Sequence, residues 1–236
     1  MRHFLLYFLL IQVLYSCAPR VYTPTAFNAP FLAKKGDFNG AISLSPSLVV
    51  LNANVQVAYA ITNNFAIIGN GNYKKTIGSN DLYHALGEVG LGYFKNYNTS
   101  WIFEGFLGYG FGKGTYKKDE DVPFFYSSPD INIHSYYNKI FLQIDGGIKS
   151  TNGVFETGLI LRPVIINYLS MKVTNTVESY NRIGATSFLL EPGVFFRVGK
   201  GNLKFQTQVG ACIPIINDEL YYVPEILNFG AFYKFK

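Results

Sequence analysis

The chain has 236 residues, a formal net charge of +5, 15% charged and 17% aromatic residues, with 18 Tyr, 21 Phe and 23 Gly. Removing Arg2 with a leader leaves +4, and the basic residues are scattered. That balance is too modest to support nucleic-acid binding. Two cysteines are too few for a disulfide framework, and the aromatic, Gly-rich mixture favours strands and turns over helices.

Met1-Arg2-His3 is a short positive region, and Phe4 to Val13 is apolar apart from Tyr7 and Gln12, the proportions of a secretory signal. The run is too short to span a bilayer as a helix, which takes about 20 apolar residues. Leu14-Tyr15-Ser16-Cys17 resembles the lipobox of bacterial lipoproteins, although Tyr15 is bulkier than that pattern usually carries. The resemblance implies a lipoprotein signal peptide over 1–16 and Cys17 as the lipid (palmitate) attachment site. Ordinary cleavage nearby is the alternative, and in that case a Cys17–Cys212 bridge competes. Residues 17–36 then form an N-terminal anchor segment and residues 37–236 a single domain, since no linker, charge run or low-complexity stretch divides them.

Along that domain about ten segments alternate with period two. Val55, Val57, Tyr59 and Ile61 alternate with Asn54, Gln56, Ala58 and Ala60; Phe65, Ile67 and Tyr73 with Asn70, Asn72 and Lys74. Val89, Leu91 and Tyr93 oppose Glu88; Trp101, Phe103, Leu107, Tyr109 and Phe111 oppose Glu104. Ile140, Leu142, Ile144 and Ile148 alternate with Lys139, Gln143, Asp145 and Lys149. Phe155, Leu159, Leu161 and Ile165 follow with Glu156 and Arg162; then Leu190, Val194, Phe196 and Val198 with Glu191 and Arg197. Leu203, Phe205 and Val209 alternate with Lys204, Gln206 and Gln208, and Phe229, Ala231, Tyr233 and Phe235 close the chain.

Large apolar residues on one parity, with small, polar and charged ones on the other, predict an all-β fold. It is a single antiparallel up-and-down transmembrane barrel of about ten strands, or eight with a different hairpin assignment, apolar outside and polar within. Segments of ten to fifteen residues suit tilted membrane strands better than soluble ones. A soluble lipid-binding barrel is the architectural rival and requires the large apolar residues to point inward.

Tight connections at Asn63-Asn64, Asn96–Asn98, Ser150–Asn152 and Lys200-Gly201 alternate with longer ones at Ile77–Asp81, Thr115–Ile131, Ser170–Ala185 and Pro214–Pro224, with a first loop near Ser47–Leu51. Short periplasmic turns and longer outer loops are the rule for outer-membrane barrels. An even strand count then predicts both termini on the periplasmic side, the lipid anchor there and the loops extracellular.

The stretches Cys17-Ala18-Pro19-Arg20-Val21-Tyr22, Asn28-Ala29-Pro30, Lys34-Lys35-Gly36-Asp37, Ala58 to Asn64 and Glu88-Val89-Gly90-Leu91-Gly92-Tyr93 resemble a group of Bacteroidota-type outer-membrane barrel lipoproteins. The resemblance implies fold and compartment and carries over no catalytic residue. Ala18-Pro19-Arg20-Val21 has no acid of the kind that sends some such lipoproteins to the cell surface, which favours the periplasmic-side anchor.

On the inner parity Glu88, Glu104, Lys139, Asp145, Glu156, Arg162, Glu191, Arg197 and Lys204 predict an ion-paired lumen, because buried charges persist only when paired. A small passive pore is its functional variant. His134 and Ser135 point to opposite faces of a strand and cannot make a nucleophile–base pair, so no catalysis, cofactor or metal is expected. Phe124, Phe125 and Tyr126 in the longest loop form a candidate interaction patch, beside Lys117 to Asp121, for an outer-membrane protein or lipopolysaccharide partner; membrane lipid is the remaining partner.

Overall fold

The computed structural model describes residues 21–47, 49–79, 81–97, 100–118, 131–175, 179–216 and 222–235. The elements are β1 (Phe38–Leu44), β2 (Val50–Ala60), β3 (Phe65–Thr76), β4 (Leu82–Asn96), β5 (Trp101–Lys118) and β6 (Ile131–Lys149). They continue with β7 (Phe155–Asn175), β8 (Ser179–Arg182), β9 (Thr186–Val198), β10 (Leu203–Ala211), β11 (Ile213–Ile216) and β12 (Glu225–Phe235).

Ten of these close an antiparallel barrel in chain order, with β7 paired to β9, β10 to β12, and β12 back to β1 from Phe38↔Phe235 to Leu44↔Phe229. The other two are extensions. β8 folds back on the end of β7, and β11 continues β10 beyond Cys212 against β9. Closure leaves no sheet edge among the ten, so the ladder's main-chain groups pair across strands rather than with water.

The expected parity holds with the apolar side outward. Val89, Leu91, Leu107 and Leu159 are 62–71% exposed, whereas Glu88, Glu104, Lys139, Glu156, Arg162 and Glu191 are at most 3% exposed. A soluble barrel would reverse this arrangement, so the lipid-binding alternative is not the observed fold. On β5 the outward run Trp101, Phe103, Leu107, Tyr109, Phe111 ends at exposed Lys113. Ten residues at about 3.3 Å rise and a tilt near 40° give an apolar band roughly 25 Å tall, the height of a membrane barrel's belt. Aromatics crowd its lower border, where Phe65 packs edge-on against Tyr93 and Tyr233 edge-on against Phe235, and the Phe38 ring lies tilted at 34° against Phe235.

Short connections occupy one end, between β2 and β3, β4 and β5, β6 and β7, and β9 and β10, and β1 begins and β12 ends there. The opposite end carries the longer connections, but much of their predicted length is strand. The stretch Ser170–Ala185 is largely the β7–β8 hairpin, and Pro214–Pro224 starts inside β11. Opposite Tyr136 and Tyr137 the pairing skips from Ser170 to Tyr168, so Leu169 is an extra residue in β7. This bulge swaps the faces: Ile166 and Tyr168 point inward before it, Met171 and Val173 after it.

Residues 21–32 belong to the expected N-terminal anchor segment, 17–36, to which the sequence assigned no path. They run through the lumen as an extended strap, every one buried, before a turn at Gly36 (φ 88°) leads into β1. That turn is fixed by Asp37 Oδ2, which accepts from Ala33 N (2.8 Å) and Lys34 N (3.1 Å).

Candidate functional site

The strap Val21-Tyr22-Thr23-Pro24-Thr25-Ala26-Phe27-Asn28-Ala29-Pro30-Phe31-Leu32 makes a single isolated main-chain bridge, Tyr22 to Tyr222. Pro24 and Pro30 lack N–H groups and cannot join a ladder. Yet a buried backbone must satisfy its polar groups. Here the side chains of the barrel wall do so.

At the long-connection end Val223 N donates to Tyr22 O (2.9 Å) and Thr23 N to His84 Nε2 (3.4 Å). His84 is itself held by Asn72 Oδ1 (2.8 Å) and the Tyr137 hydroxyl (2.6 Å). One turn lower, Arg162 Nη2 donates to Thr25 O (2.8 Å) and Ala26 N to Asn54 Oδ1 (3.0 Å). Gln208 grips Phe27 from both sides, accepting from its N–H (2.9 Å) and donating to its carbonyl (2.7 Å); Gln56 also donates to that carbonyl. Gln143 donates to Asn28 O (2.7 Å), Arg197 to Ala29 O (2.6 Å) and Asn39 to Pro30 O (2.6 Å). At the short-turn end both Glu104 oxygens accept from the strap, one from Phe31 N and one from Leu32 N, each at 3.0 Å, and Asn96 donates to the carbonyls of Leu32 and Ala33.

Two strap rings sit in seats made by the wall. A Cβ on Gly193 would run into the Phe27 ring, and one on its ladder partner Gly210 would lie 2.8 Å from it. The two bare backbones therefore form the floor under Phe27, and the Arg162 guanidinium lies 4.7 Å from the ring centroid. Phe31 adopts a left-handed φ of 52°, a conformation that costs a non-glycine residue about 1–2 kcal/mol. Its ring packs edge-on against Phe195 at 5.0 Å and Glu104 holds its N–H.

The nine charged residues expected in the lumen are all buried there, and seven of them divide into two ion-paired groups. In the upper group Lys139 pairs with Glu88 at 2.6 Å and with Glu191 at 3.9 Å, and Arg162 pairs with Glu191 at 2.6 Å. Thr25 and Tyr22 of the strap donate to Glu88 (2.9 Å) and Glu191 (2.7 Å), so the strap is part of this network. In the lower group Glu156 meets Arg197 (3.5 Å), Lys204 (2.9 Å) and Lys234 (2.7 Å). Glu104 and Asp145 join neither group directly: Glu104 takes the strap amides and Asp145 accepts from Gln143 at 2.8 Å. With Lys74, five buried acids face five buried lysines and arginines among the described residues.

Sequence reasoning did not reveal the strap or the inward rings. Phe94, Phe106, Tyr137, Phe141, Tyr168 and Phe195 are fully buried between the polar layers, and Phe106, Phe141, Tyr137 and Phe195 lie over Gly92, Gly108, Gly112 and Gly158 of neighbouring strands. One signal was present: no charged residue occurs between Arg20 and Lys34, a stretch that carries two prolines and no alternation. His134 is exposed and Ser135 buried, on opposite faces as expected. Cys17, Phe124, Phe125 and Tyr126 lie outside the described residues.

Closed on itself, polar within and apolar around its waist, the molecule is a ten-stranded membrane-type β-barrel whose lumen is filled by its own N-terminal segment. No protein-family model matches the chain, and no curated protein matches it. Among solved structures it is similar to the translocator domain of the autotransporter NalP from Neisseria meningitidis, at 9% identity over 84% of this chain and 86% of that one, with a TM-score of 0.49. It is also similar to the β domain of the Bordetella autotransporter BrkA, at 8% identity over 86% and 99%, with a TM-score of 0.34.

Proposed function

We propose that this protein is a lipid-anchored outer-membrane barrel with a structural or interaction role, sealed rather than conducting and without catalysis. The observation that carries the reading is the strap. Twelve consecutive buried residues occupy the axis along which solute would pass, and wall side chains hold them from end to end. A passive pore needs lumen side chains too small or too mobile to close it. Here they are paired with one another and with the strap.

The leader and Cys17 support export and a lipid, and the apolar belt supports residence in the outer membrane. Its partners are then membrane lipid and whatever the long-end connections meet, an outer-membrane protein or lipopolysaccharide. The test combines palmitate labelling, gel migration with and without boiling, and planar-bilayer conductance. A heat-modifiable, labelled species that is electrically silent is expected, with Cys17→Ala losing the label and keeping the migration shift. Steady single-channel currents from the unmodified protein would refute the sealed reading.

A further inference from the structure

We infer that the lipid on Cys17 lies at the long-connection end of the barrel, so that it enters the leaflet facing the cell exterior rather than the periplasmic one. The inference rests on the proposal that Cys17 is the acylated first residue of a mature outer-membrane barrel. Its physical basis is the direction of the strap.

Ten strands return the chain to the side on which it started, which is why the sequence alone put both termini on the periplasmic side. The strap adds an eleventh crossing. Leu32 and Ala33 are held by Asn96 at the short-turn end, beside the start of β1. Thr23 is held by His84, and Val21 lies against Gly114, at the other end. From Thr23 to Leu32 an extended chain covers about 30 Å, and from His84 to Asn96 along β4, tilted near 40°, the rise is also about 30 Å. The strap therefore runs along the axis nearly straight, without doubling back.

Val21 sits at the outer edge of the apolar band. Gly114, which its carbonyl approaches, immediately follows Lys113, where the outward face of β5 changes from aromatic to basic. Cys17 precedes Val21 by four positions, a reach of at most about 14 Å. A return to the short-turn end requires about 30 Å through a lumen the strap already fills. With short turns periplasmic and long connections outside, Cys17 is delivered at the outer boundary of the belt.

The experiment places a site for a sequence-specific protease between Pro19 and Arg20 and an epitope after Lys236, in cells labelled with radioactive palmitate. Protease added to intact cells is expected to remove all label from the heat-modifiable barrel band while the C-terminal epitope stays inaccessible to antibody until the cells are permeabilised. Cleavage only after permeabilisation, or an epitope reached on intact cells, overturns the inference but leaves a lipid-anchored barrel. Absence of palmitate label, or of a heat-modifiable band in unmodified protein, overturns the underlying proposal and the inference with it. Should the inserted site block assembly, Arg20→Cys in a Cys212→Ser background gives the second reading. A membrane-impermeant maleimide is expected to label it on intact cells, and labelling only after lysis refutes the placement.

Discussion

Gly193 and Phe27 show how far the lumen is shaped around the strap, because neither residue is intelligible without the other. A glycine inside a strand weakens it and offers no side chain to pack. At position 193 the missing Cβ is the space that the Phe27 ring occupies, with Gly210 as the other half of the seat. Gly193→Ala should therefore overpack the seat and destabilise the barrel by about 1–3 kcal/mol, and Phe27→Ala should cost about 3–5 kcal/mol through the cavity it leaves. Together they should cost less than the sum by about 1–2 kcal/mol, since the smaller side chain makes room for the new methyl. Urea titration of the four proteins in detergent micelles measures this coupling, and strict additivity would show that the two positions do not share one seat. The charged residues follow the same logic. Among the described residues Glu104 makes no direct ion pair, and its carboxyl oxygens are used by two strap amides instead.

Among the elements, the strands were legible and the strap was not, for a physical reason. A strand in this barrel meets lipid on one face and a polar interior on the other, so its sequence must alternate, and β5 and β6 do so over 18 and 19 residues. The strap is surrounded by protein on every side, and most of its partners are side chains 28 to 181 residues away. No period survives such a pattern. The upper part of β7 was misread as loop for a related reason: Leu169 inserts a bulge, and a fixed-period reading loses the parity that Met171 and Val173 resume. Because the wall holds the strap largely through main-chain atoms, the pairing should work between separate molecules. A barrel lacking residues 21–32 is expected to conduct in planar bilayers, and a synthetic peptide of residues 21–33 added from the long-connection side should block the current. A peptide with Phe27→Ala should block more weakly, because the seat on Gly193 and Gly210 is empty. If the strapless barrel stays silent while retaining its heat-modifiable shift, inward rings such as Phe141 and Tyr137 close the lumen by themselves.

At the scale of the whole molecule, two opposed solvents account for the sequence. The belt meets hydrocarbon, the lumen meets a peptide, and each charge is placed by that division. Leu107 is 62% exposed in the middle of the belt on β5, and His134 is exposed on β6, above the height at which Lys113 ends the apolar run. In a bilayer the cost of a cation on the outer face depends on depth, about 2–4 kcal/mol at the midplane and about 0–1 kcal/mol near the interface. Leu107→Arg should therefore lower folding stability in phospholipid vesicles by roughly 2–4 kcal/mol, and His134→Arg by less than about 1 kcal/mol. Folding titrations read by the gel shift give both values. A water-facing belt predicts no such difference, since replacing an exposed leucine by arginine in water is nearly neutral. Equal, small effects at the two positions would mean that the apolar waist is covered by something other than lipid, and the long-connection end would lose its claim to be the outer face.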